Sequence, residues 1–206
     1  MKILFIVLLV VTPLFSAWAG EARSQLDAFH QQMKTLQADF EQQLVSEKGE
    51  VRQHAFGKVY IQRPGQFRWN YHAPYEQMIM ADHHKLTLYD VDLEQVTIKK
   101  IDDAFGQTPA VVLSGAGDLD ESFNIIELEP HDGMQWVALL PRNKEGSFVR
   151  MQLGFLEGEL SVMILQDSFN QLTTITLSNV VRNQPLPVGI FEFEVPEGVD
   201  VVGDLD

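Results

Sequence analysis

The sequence predicts a mainly β protein with few helices: one long antiparallel sheet that curls, with its concave apolar face covered by helices. Three observations carry this. Helical periodicity is confined to two stretches; short runs rich in Val, Ile, Tyr, Phe and Thr fill the rest, separated by turn signals; and no linker, charge tract or repeat marks a second domain.

The chain opens with Met1 and Lys2, then an apolar run from Ile3 to Phe15, then Ala17-Trp18-Ala19 ahead of Gly20. That is the pattern of a secretory signal peptide, residues 1–19, cleaved near Ala19-Gly20. The run falls short of the roughly 20 apolar residues a spanning helix needs, so a retained anchor is the weaker reading. Residues 20–206 are expected to form a single soluble domain.

From Ser24 to Phe40, the residues Leu26, Phe29, Met33, Leu36 and Phe40 recur at three- and four-residue intervals. This spacing predicts an amphipathic helix over that range, opened by Ser24 with Asp27 three residues on. From Phe40 to about Ile101 the runs read as consecutive strands, punctuated at Lys48-Gly49, Arg63-Pro64-Gly65, Ala73-Pro74 and Asp82-His83. Thr108-Pro109, then Ala110, Val111, Val112 and Leu113, then Gly115, describe a short helix too apolar to lie alone on a surface. Strands resume at Phe123, with hairpin signals at Asp132-Gly133 and Glu157-Gly158. The last expected strand is Phe191 to Val195, and the acidic end after Val199 gives no sign of another. About eleven strands result. So long a sheet should curl, and only the two helices are available to cover its concave side.

Charge and composition exclude several function classes. The formal net charge of -14 argues against nucleic acid as a partner and disfavours adsorption to anionic lipid. Without cysteine the chain carries neither a disulfide nor a lipid-modified cysteine. There is no G-x-S-x-G, no H-E-x-x-H and no phosphate-binding glycine loop, so no catalytic residue is assigned. His83 and His84 sit in a turn and read as solvated residues rather than metal ligands. Asp118, Asp120 and Glu121 lack the glycine and distal glutamate of an EF-hand and read as a solvated loop. No cofactor and no metal is expected.

The most informative stretch runs from Val59 to Tyr71. Phe67, Trp69 and Tyr71 share one face of a strand, and Arg68 and Asn70 share the other. Core packing is one reading of three aromatics on one face. The other is a cavity, because Met78, Met80, Leu86, Leu88, Met134, Trp136, Leu139 and Leu153 add bulky apolar groups that two helices can cover only in part. Methionine repacks readily around ligands of varied shape.

In order and spacing, these segments resemble the periplasmic outer-membrane lipoprotein carriers, the LolA family. The similarity takes in the leading helix ending in Phe40-x-Gln42, the run G-K-V-Y-I-Q-R-P-G-Q-F-R-W-N-Y from Gly57, Glu76 ahead of an apolar strand, and Tyr89-Asp90 followed by Glu94-Gln95-x-Thr97. It continues through Gly106-x-Thr108-Pro109 to Phe191-x-Phe193-x-Val195-Pro196-x-Gly198-Val199. The resemblance implies an incomplete, eleven-stranded barrel with an apolar concave face and a helical lid. It implies a non-enzymatic periplasmic carrier, working as a monomer. Such a carrier takes acylated lipoproteins from an inner-membrane ATP-driven lipoprotein-releasing complex and passes them to an outer-membrane lipoprotein receptor. Arg63 then corresponds to the lid latch. Phe67, Trp69, Val59, Ile61, Met78, Met80, Leu86 and Leu88 correspond to the acyl-chain cavity, and Ala104, Phe105, Pro109, Val111, Val112 and Leu113 to the lid.

Other occupants of such a half-barrel fit less well. A receptor of the outer-membrane type should carry a lipidated cysteine, and a stress regulator should carry a second domain. A periplasmic lipid-binding or lipid- or glycan-processing protein on the same fold is the main alternative, and a structural adhesin-like β protein is a third option.

Overall fold

The computed structural model describes residues 20–82, 85–100, 110–115, 117–143, 146 and 148–203, with Ala110 and Val111 described by backbone alone. Helix α1 is Glu21–Gln32, and strands β1 Thr35–Val45, β2 Val51–Gln62, β3 Gln66–Ala73, β4 Gln77–Ala81, β5 Lys85–Asp90 and β6 Gln95–Lys100 follow it. Two short helices, α2 Ala110–Ser114 and α3 Leu119–Ser122, precede β7 Phe123–His131, β8 Met134–Pro141, β9 Arg150–Leu156, β10 Glu159–Gln166, β11 Leu172–Arg182 and β12 Asp200–Gly203. The twelve strands found among the described residues form one open sheet in the order β12-β6-β5-β4-β3-β2-β1-β11-β10-β9-β8-β7.

The meander follows from local chemistry. Asp132-Gly133 and Glu157-Gly158 place both residues at positive φ, the two-residue turn whose twist matches the strands it joins. Asp82 closes the β4–β5 connection by accepting from the Lys85 backbone N–H at 2.9 Å. His83 and His84 lie outside the described residues.

The leading helix is shorter than its periodicity suggests. It ends at Gln32, and Leu36, Ala38 and Phe40 alternate inward along β1 instead. The spacing of four from Leu36 to Phe40 coincides with a strand's spacing of two once the small Ala38 is counted. Nor does Ser24 cap the helix: Gly20, with φ of 101°, takes that position.

The chain's end departs further from expectation. Phe191 to Val195 form no strand, and Asp200–Gly203 pair in parallel with Gln95–Ile98 of β6. A parallel partner requires a crossover. Residues 183–199 supply it by running across one face of the sheet, where Arg68 Nη1 donates to Ile190 O at 3.0 Å and the Phe193 ring lies 5.5 Å from Tyr89.

The sheet therefore has an inner face, covered by α1 and α2, and an outer face crossed by this strap. The core lies on the inner side: Leu26 and Phe29 of α1 and Val112 and Leu113 of α2 pack with Leu36, Ile61, Phe67, Leu139, Met151, Leu153, Phe155, Leu160 and Met163. Phe29 meets Phe155 edge-on at 6.0 Å. Neither helix could hold its apolar residues out of water alone; each buried side chain of this size contributes about 1.5–3 kcal/mol.

Candidate functional site

The site is built on β2 and β3 and on the tight turn Arg63-Pro64-Gly65 between them. In antiparallel pairing, directly opposed residues share a face. Leu36 opposes Ile61, Ala38 opposes Val59, Ile61 opposes Phe67, and Val59 opposes Trp69. The row continues through Trp69 to Ile79 and Leu88, and through Phe67 to Ala81 and Leu86. Val59, Ile61, Phe67, Trp69, Leu86 and Leu88 thus form a continuous inner apolar surface.

Met78 and Met80 do not belong to it. They oppose Asn70 and Arg68, so the register turns both to the outer face, where they are buried at 5% and 4% exposure. Trp136 is likewise on the outer face, packed over Gly154, where a Cβ would meet its ring at 2.8 Å. Sequence could not assign this parity, because Met78-Ile79-Met80-Ala81 is apolar on both sides.

Arg63 stands at the edge of the inner face and reaches two helix ends at once. Its Nε donates to Leu113 O at 3.0 Å and Nη2 to Val112 O at 3.3 Å, while Nη1 donates to Phe29 O at 3.1 Å and to His30 O. The guanidinium also lies 5.2 Å from the Phe29 ring centroid. Its planar fork of donors suits several carbonyls in one plane. Both helix ends present partial negative charge, which favours a cation there. Burial pulls the Arg63 pKa down to about 10, so the group stays charged at neutral pH.

Two features of this junction were missed in the sequence. Gly115, read only as a helix stop, leaves the space that the Arg63 side chain occupies. Gly65 N–H donates to Ser114 O at 3.2 Å, so the strand turn holds α2 through its backbone as well. Ala104, Phe105 and Pro109 lie outside the described residues, as does the side chain of Val111; Val112 and Leu113 are buried against the inner face.

Further along β3 the inner face turns polar. Tyr71 donates to Gln42 Oε1 at 3.0 Å, and burial pushes its hydroxyl pKa up to about 12. A pocket of about 480 Å³ opens here, lined by Gln42, Ala55, Tyr71, Gln77 and Asp90 among others. Between the two regions sits Trp69, its ring tilted against Phe40 at 4.8 Å and its buried Nε1 without a hydrogen-bond partner among the described residues.

The acidic stretch at 118–121 has a structural role. Asp118 caps α3 by accepting from the Asp120 and Glu121 backbone N–H groups, and Asp120 pairs with Arg23 of α1 at 2.6 Å.

Residues 31–194 match the family described as outer membrane lipoprotein carrier protein LolA. The chain belongs to the LolA family. Within it, an outer-membrane lipoprotein carrier protein of Methylococcus capsulatus is 42% identical over 201 residues, 95% of this chain and 97% of that one. Another of that name, from Nitrosospira multiformis, is 41% identical over 180 residues, 87% of each chain. The fold is also that of an uncharacterized conserved protein from Thermus thermophilus, at 13% identity and a TM-score of 0.54 over 89% of this chain and 98% of that one. The LolA match covers the Arg63 turn, the inner apolar rows and α2 together.

Proposed function

We propose that this LolA family member carries acylated lipoproteins through the periplasm, shielding their acyl chains on the inner face of the sheet. The observation that carries the reading is the Arg63 junction: one guanidinium ties the ends of α1 and α2 together over a continuous apolar surface. A long acyl chain in water is costly, at about 0.8 kcal/mol per methylene, so a carrier must offer comparable burial and still release it. Carbonyl hydrogen bonds that break on opening set a threshold for entry. Arg63 is the latch, and the segment from about Ala104 to Leu113 is the lid.

The carrier receives its cargo from an inner-membrane ATP-driven lipoprotein-releasing complex and delivers it to an outer-membrane lipoprotein receptor, working as a monomer and without turnover. Among the described residues no helix is long and apolar enough to cross a membrane. The signal peptide is cleaved at Ala19-Gly20, beside Glu127, whose Oε2 accepts from Gly20 N at 2.8 Å. A new α-ammonium there would gain a carboxylate partner.

Depletion in the native host tests the function. Lipoproteins should accumulate at the inner membrane; their normal distribution after depletion would refute it. Protein recovered from the periplasm should retain lipidated cargo stoichiometrically, whereas turnover of acyl esters would favour a processing enzyme on this fold.

A further inference from the structure

An indole N–H that is buried without an acceptor is expensive, and a phenylalanine would fill the same space without that cost. Trp69 is in that position, at 9% exposure, with Nε1 shielded from solvent and unpartnered among the described residues. The other described indole is satisfied: Trp136 Nε1 donates to His131 O at 3.2 Å.

The place of Trp69 in the sheet suggests what it awaits. Phe67, two residues before it on the same face, lies among Ile61 and Ala81 beneath the helices. Tyr71, two residues after it, lines a pocket of mixed polarity whose polar groups include Gln42, Gln77 and Asp90. Phe40 touches both Trp69 and Tyr71, at 4.8 and 5.1 Å, so the apolar and polar regions meet at this indole. An acyl chain has the same polarity. Its hydrocarbon tail joins the polar stem through a carbonyl, and that carbonyl is an acceptor without a donor once it leaves water.

We propose that the Trp69 indole N–H is a hydrogen-bond donor subsite for the ester carbonyl of an acyl-glyceryl group, with the tail directed toward Phe67 and the polar stem toward the Tyr71 pocket. This rests on the carrier reading and adds orientation to it. The subsite lets an otherwise apolar surface distinguish an acyl ester from hydrocarbon of equal length.

The test compares two probes on the exported, purified protein: a diacylglyceryl-cysteine lipopeptide and its dialkyl ether counterpart of the same chain length. The ester should bind about twofold to tenfold tighter, the range of one net hydrogen bond. Trp69→Phe should abolish that preference, read as the ratio of ester to ether affinity within the variant, with thermal stability at or above the parent's. In the parent, the Trp69 indole ¹H–¹⁵N resonance should move downfield with the ester and less with the ether, Trp136 serving as the reference. An ester preference that survives in Trp69→Phe, or an indole resonance that responds equally to both probes, would overturn the subsite and leave the carrier reading standing. Failure of both probes to bind the parent would overturn the two together.

Discussion

Arg63 and Gly115 approach more closely than any side chain at position 115 would permit: a Cβ there would lie 2.6 Å from Arg63 Cδ and 2.7 Å from Nε. The glycine also sits at φ of +69°, the left-handed conformation that closes a helix. Two independent constraints thus select glycine beside the latch. Gly115→Ala should cost about 2 kcal/mol from backbone strain and from displacing the guanidinium, lowering the thermal midpoint by about 4–8 °C. A melt indistinguishable from the parent's would show that Arg63 does not hold this position in solution.

Removing the guanidinium itself should act on the lid more than on the sheet. Arg63→Ala leaves the Val112 and Leu113 carbonyls without these donors, and amide hydrogen exchange in α2 and at Gly65 should quicken while that of β8–β10 changes little. Arg63→Lys should rescue only in part, since one ammonium cannot reproduce the planar fork. Acyl-probe affinity should change as well; unchanged affinity together with unchanged exchange in α2 would remove Arg63 from the latch role.

The two faces of the sheet offer a matched pair. Phe67 and Met80 are comparably buried, at 5% and 4% exposure, on opposite sides of adjacent strands. Each should lose about 2–5 kcal/mol of stability on replacement by alanine. Only Phe67→Ala should weaken binding of a fluorescent fatty acid, because Met80 faces the outer strap. Equal loss of affinity in both variants would count against an inner acyl surface.

These positions show where sequence is informative. The stretch from Val59 to Tyr71 alternates, so the partition of Phe67 and Trp69 from Arg68 and Asn70 could be read from period two alone, and it agrees with the register. Met78 to Ala81 carry no alternation, and their parity depends on pairing with β3, which no local signal sets. The same holds for Leu36 and Phe40, whose spacing of four satisfies a helix and a strand equally well until tertiary contacts decide. β12 was invisible for another reason: it is a mostly exposed edge strand held by main-chain pairing to β6, and such pairing leaves no side-chain pattern. The Arg63 junction was legible only through family resemblance, because its acceptors are backbone carbonyls, which every residue possesses.

His30 lies against this junction and gives it a pH dependence whose sign can be derived. Its carbonyl accepts from Arg63, and its imidazole is held below the ordinary histidine range, first by burial and then by the Arg63 charge, with Asp118 and Asp27 opposing. The folded protein therefore binds a proton at His30 less readily than the unfolded chain does. Stability from this group is complete above the unfolded value of 6.5 and is lost as pH falls from there toward the lower folded value. The carboxylates of Asp39 and Asp120, held below 3.8 by Lys58 and Arg23 respectively, lose their contributions only in more acidic solution. Between about pH 7.5 and 5.5 the parent's thermal midpoint should thus fall further than that of His30→Gln, which keeps a polar side chain without the titration. After correction for the slower intrinsic exchange in acid, amide protection factors at the end of α1 and in α2 should also fall on acidification in the parent alone. Parallel pH profiles for the two proteins would show that His30 contributes nothing to the junction's stability in this window.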